Sequence, residues 1–110
     1  MKSYTDLPQS KKLAEILPIE SADMKILSFG IDIKRRVVPI DDIAVLNKED
    51  EIPCWSLAAL LNVLPKYELY NFGNTIQLDV NKEALATEDD ETLLDLVVNM
   101  IIHLHEQKLL

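Results

Sequence analysis

Pro53-Cys54-Trp55-Ser56-Leu57-Ala58-Ala59-Leu60-Leu61-Asn62-Val63-Leu64-Pro65 is the stretch on which the reading of this chain turns. It holds the one tryptophan and the one cysteine, and a proline bounds it at each end. Leu57, Leu60, Leu61 and Leu64 recur at i, i+3, i+4 and i+7, the spacing of one helix face. Ala58 and Ala59 keep the flanks small, so such a helix can approach a sheet closely. Ser56, or the Cys54 backbone just before it, is the expected start, and Pro65 forces the end. About three turns are marginal for an isolated helix, so packing must hold it in place. The expectation is a short buried helix on which the other elements pack.

Downstream, residues 67–72 and 75–80 read as a β-hairpin, with Gly73-Asn74 suited to a two-residue II′ turn. That register sets Tyr67 opposite Val80, Leu69 opposite Leu78 and Asn71 opposite Ile76. Tyr67, Leu69, Ile76, Leu78 and Val80 then form the buried face, while Glu68, Tyr70, Phe72, Thr75, Gln77 and Asp79 form the wet one. Residues 81–86 read as a connection with room for a helical turn. The acidic run Glu88-Asp89-Asp90-Glu91 then leads into the longest helix, reaching about residue 107, as acidic residues at a helix N-terminus should. Its stripe is Leu93, Val97, Met100, Ile101 and Leu104. Leu94, Leu96, Val98 and Ile102 widen that stripe well beyond one face.

Upstream, Thr5 or Asp6 can cap a first helix, with Pro8 in its first turn and Gln9 placed to complete a capping box with Asp6. Leu13, Ile16 and Leu17 form its apolar stripe and Pro18 stops it. Residues 24–29 and 31–38 alternate as strands about a turn at Gly30, with Pro39 at an end or an edge. Residues 43–46 read as a further short strand and 47–51 as a charged loop. The fold class expected from this order is α+β: a mostly antiparallel sheet of about four or five strands, with three helices packed on one face.

The bulk numbers agree with one domain covering 1–110, 48% apolar and 27% charged, with one real core and no sign of disorder. A net charge of −8 opposes binding to nucleic acid or to anionic membranes, and permits a basic protein partner. A single cysteine excludes an intrachain disulfide and a cysteine-based metal site. The first residues lack the apolar core of a signal peptide, and no run is long enough to span a membrane, so the expected location is cytoplasmic.

Chemistry-bearing residues are few, and each has a plain structural reading. His103 and His105 lie two apart on a helix and point to different sides, so they cannot share one ion. His103 with Glu106 supplies at most two ligands, short of a site. The run 88–91 lacks the spaced ligands and turn glycine of a calcium loop. Cys54 beside Trp55 in an apolar stretch reads as packing, with no flanking signature of a nucleophile. Lys34-Arg35-Arg36, holding both arginines of the chain, reads as a charged edge strand. No catalytic, cofactor or metal residues are assigned.

Three segments together resemble a family of short phage- and mobile-element-type bacterial proteins. They are Leu13-Ala14-Glu15-Ile16-Leu17-Pro18 with Glu20-Ser21-Ala22-Asp23-Met24, then Pro53-Cys54-Trp55-Ser56-Leu57-Ala58-Ala59-Leu60-Leu61, then Leu64-Pro65. The helix at 94–104 is similar to the family's closing helix, with Val97, Val98 and Asn99 departing from its pattern of small residues and Glu before Met100. The resemblance covers about half of the chain. It implies a phage-like or mobile-element setting and assigns no activity and no functional residue.

The functional expectation is a small acidic cytoplasmic protein acting as a non-catalytic protein-interaction module. Its partner is another protein or a second copy, the latter meeting it through Leu94, Val98 and Ile102. Two alternatives stay open: a phage-type modulator that binds a basic host protein, and a metal- or thiol-dependent enzyme built on His103, Glu106 or Cys54.

Overall fold

The computed structural model describes residues 3–29, 32–39 and 51–110. Helix α1 spans Leu7–Ala14. Its N-cap is Asp6, and the capping box with Gln9 is complete: the Gln9 amide donates to Asp6 Oδ1 at 2.9 Å and the Asp6 amide to Gln9 Oε1 at 3.1 Å. These bonds satisfy two backbone donors that would otherwise face water alone. A 3₁₀ turn, Ile19–Ser21, follows Pro18 and leads into strand β1, Met24–Phe29.

Strands β2 (Asp32–Pro39) and β3 (Glu51–Cys54) flank β1, both antiparallel to it, so the first sheet has the order β2-β1-β3. Lys34, Arg35 and Arg36 therefore lie in an edge strand, as their charge suggests. Glu51 and Cys54 belong to β3 rather than to a charged loop and a helix start. Pro53 is tolerated within it because β3 is the other edge of this sheet. The strand expected at 43–46 and the turn at Gly30 lie outside the described residues.

Helix α2, Leu57–Val63, starts where Ser56 caps it, the Ala59 amide donating to Ser56 Oγ at 3.2 Å. It ends at Leu64, before Pro65, as the sequence demands. Strands β4 (Tyr67–Phe72) and β5 (Thr75–Val80) pair in the expected register, Leu69 opposite Leu78 and Tyr67 opposite Val80. Gly73 has φ +73°, the left-handed value that the first corner of a II′ turn requires and a glycine accepts freely.

Residues 81–86 are not merely a connection. Glu83–Ala86 forms strand β6, antiparallel to β5, which completes a second sheet of order β4-β5-β6. The turn between them is Asn81-Lys82, with φ 51° and 70°. Two left-handed residues in a row make a type I′ turn, which Asn tolerates and Lys does not favour. Lys82→Gly should therefore stabilise the fold by about 0.5–1 kcal/mol. A rise in melting temperature checks this, and an unchanged or lower value would place the strain elsewhere.

Helix α3, Leu93–Glu106, is capped by Thr92 in a box with Asp95. The acidic run 88–91 precedes this cap instead of forming the first turn: the Glu91 carboxylate accepts from the Glu88 amide at 2.8 Å and from Asn99 at 2.9 Å. At the far end Lys108 is left-handed, φ 59°. Its amide donates to the His105 carbonyl at 3.0 Å and the Leu109 amide to the Leu104 carbonyl at 2.8 Å, a Schellman closure. The chain is thereby turned back, and Leu110 lines a groove together with Ile16 and Ala58.

The fold class is α+β. Among the described residues the strands number six and divide into two antiparallel sheets of three rather than one continuous sheet. The core gathers on α3, which buries seven residues, whereas α2 buries Ala59 and Leu60. Leu78 and Val80 of β5 cover one side of α3, and Leu13, Leu17, Trp55 and Leu60 cover the other parts of the cluster. A wide apolar helix in a small domain is thus explained by neighbours on several sides. No helix among the described residues is long and apolar enough to cross a membrane.

Candidate functional site

Cys54 is fully buried. Its sulfur donates to the Thr5 carbonyl at 3.3 Å and accepts from Thr5 Oγ1 at 3.4 Å. Thr5 Oγ1 is 2.7 Å from Ser10 Oγ and accepts from the Trp55 amide at 3.1 Å. The Thr5 amide donates to the Trp55 carbonyl at 2.9 Å. This small polar knot pins the N-terminal segment and α1 to the end of β3. Its groups are paired, which is why Thr5 and Ser10 can be buried at all.

Burial pushes the Cys54 thiol above its usual value of 9.0; the Thr5 and Ser10 hydrogen bonds oppose this, the Asp23 charge adds a lesser upward push, and the Trp55 backbone hydrogen bond has the smallest, downward effect. A reactive thiolate needs the opposite environment. The folded chain keeps this proton at a pH where the unfolded chain has lost it. The resulting stability is fully present below pH 9.0 and is lost as pH rises through the folded value. Wild type should lose more of its urea resistance between about pH 7 and about pH 10 than Cys54→Ala does; equal losses would show that the thiol is not the group responsible.

His103 Nε2 sits 3.2 Å from Glu83 Oε2, so it joins α3 to β6. Glu83 was not singled out in the sequence because its strand was not foreseen. His105 and Glu106 are exposed. Among the described residues no cluster of three or more His, Cys, Asp and Glu side chains could hold a metal ion.

Two surfaces stand apart from these packed contacts. The first is β4, an edge strand whose residues beyond Tyr67 are all exposed. Phe72 is 63% exposed and stacks on Tyr70 with ring centroids 6.3 Å apart. The Tyr70 hydroxyl donates to the Glu68 carboxylate, which raises the Tyr70 pKa. Leu69 was expected inside and is 41% exposed. It is opposite Leu78 in the ladder, but along β4 the core is met by Tyr67 and not by Leu69.

The second is an open groove of about 700 Å³ between the end of α1, the 3₁₀ turn and the outer face of α2. Ile16 and Leu17, Ala58, Ala59 and Val63, and Leu110 supply its apolar lining. Glu20 and Asp23 line it too, and among the described residues no Lys or Arg does. Its wall is tied down. The Trp55 indole Nε1 donates to Ser21 Oγ at 2.9 Å, and Ser21 Oγ donates to the Pro18 carbonyl at 2.6 Å. Asp23 accepts from the Ser56 amide at 2.8 Å and from the Ser56 hydroxyl, fixing the 3₁₀ turn to the head of α2. The groove was not legible in the sequence, since its sides come from segments distant in the chain, as Ser21 and Trp55, 34 positions apart, illustrate.

No protein-family model, no curated protein and no solved structure matches this chain.

Proposed function

We propose that this chain is a small non-catalytic protein-interaction module acting in the cytoplasm. The observation that carries the reading is the apolar groove that the described residues leave open between the segment 16–23, which follows α1, and α2. Its volume lies within the range of binding sites, and a fixed apolar concavity left uncovered on a small domain is a usual mark of an interface. The side chains suited to catalysis are in structural service instead: Cys54 in the knot with Thr5, His103 against Glu83.

A partner that is a second copy meets a surface other than Leu94 and Val98. Both are 1% exposed, sealed by the chain's own core, and Ile102 is only half-buried. The net charge of −8 supports the narrower reading of a phage-type modulator that binds a basic host protein. A photoreactive residue placed at the exposed, groove-lining Asn62 tests the module reading. Irradiation in native lysate should yield one discrete protein adduct that excess unmodified protein competes away. A diffuse ladder or no adduct at all would count against it.

A further inference from the structure

The charge and shape of the groove specify what occupies it. Ala58 and Ala59 line it on the α2 side, with side chains small enough to let a bulky apolar group come close to the helix backbone. Ile16, Val63 and Leu110 wall it with apolar surface. Among the described residues the charged ones that line it, Glu20 and Asp23, are both acidic and both exposed. Lys11 and Lys12, in the last turn of α1, are not among the lining residues, and the chain as a whole carries −8. An acidic or neutral partner would gain nothing from such a rim, whereas a cation beside an apolar group gains from both parts.

We propose that this groove docks a cationic amphipathic segment of a partner protein, its apolar side chains seated on Ala58 and Ala59 and a Lys or Arg facing Glu20 and Asp23. The groove suits this mode because its wall is already held, by the Trp55–Ser21 and Ser56–Asp23 hydrogen bonds, so little order is lost on docking. The inference rests on the interaction-module reading and names the chemistry of the partner.

The probe is a synthetic fluorescein-labelled helical peptide with leucines at i, i+3, i+4 and i+7 and lysines elsewhere, followed by fluorescence anisotropy. Two companions replace every Leu by Ser, or every Lys by Glu. Wild type should bind the Leu/Lys peptide and bind each companion at least about tenfold more weakly. Ala58→Arg, at an exposed position, fills the groove and offsets part of its negative charge, and should weaken binding by about tenfold or more. Glu20→Gln should weaken it less, and only at low salt. Unchanged helical circular dichroism keeps both variants interpretable. Undiminished binding by Ala58→Arg, equal binding of the three peptides, or no binding by wild type each overturns the proposal. If a competed Asn62 adduct is still obtained in that event, the module reading stands and its partner is of other chemistry; loss of the adduct as well removes both.

Discussion

Trp55→Ala is expected to destabilise the protein by about 3–5 kcal/mol. The indole is fully buried in the cluster with Leu13, Leu60 and Met100. Its removal leaves a void of several carbon atoms in a closely packed interior, and the walls can relax only in part. It also deletes the 2.9 Å bond from Nε1 to Ser21 Oγ, although Ser21 keeps its own bond to the Pro18 carbonyl. Set against a total stability of about 5–15 kcal/mol, a loss of this size moves the urea midpoint far down. Trp55→Phe separates the two contributions, since it keeps most of the volume and loses the hydrogen bond; it should cost about 1–3 kcal/mol. A Trp55→Ala variant that melts like wild type would show that the indole is not buried as described.

Leu94→Asp is expected to abolish folding under ordinary conditions. Leu94 is 1% exposed on α3, among seven buried residues of that helix. An ionised carboxylate there has no partner and must either be desolvated or bind a proton, and either outcome costs several kcal/mol beyond the lost apolar contacts, about 4 kcal/mol or more in all. Ile102→Asp is the informative comparison, because Ile102 is half-buried and its carboxylate can turn towards water. It should leave a folded but weakened chain. Circular dichroism with urea titration distinguishes the two. A Leu94→Asp protein that stays folded and changes only its oligomeric state would reassign Leu94 from the core to an interface.

Both predictions depend on which surfaces meet, and here the sequence was uneven. The Asp6–Gln9 capping box, the Ser56 start of α2 and the Gly73-Asn74 hairpin were all legible, because each is decided by residues a few positions apart. Strand β6 was not. Its residues Glu83-Ala84-Leu85-Ala86 are good helix formers, and its turn, Asn81-Lys82, lacks the glycine that normally signals a type I′ corner. Pairing with β5 overrides that local preference, and the alternating burial of β6 is the trace it leaves. β3 was hidden in the same way by Pro53, which reads as a break until the strand is known to be an edge.

The candidate site was less legible than the fold. Cys54 and His103 stood out as residue types, yet the groups they engage are Thr5, which the sequence offers only as a helix cap, and Glu83, which it does not single out. The groove depends on the Ser21–Trp55 and Asp23–Ser56 contacts, which no periodicity reports.

Residues 53–65 show where the division lies. The sequence alone determined that a short helix starts near Ser56 and ends before Pro65, with the Leu57, Leu60, Leu61 and Leu64 face towards the core, because caps, prolines and a 3.6-residue period act locally; Leu60 and Leu64 are buried and Leu57 and Leu61 partly so. The tertiary structure decided that this helix is a wall rather than the hub. α3 takes the centre because it is long enough to be covered on several sides at once, while α2 can bury only one face and leaves Ala58 and Asn62 to line an open groove. Which faces find partners is settled by segments distant in the chain, and that is information no local pattern contains.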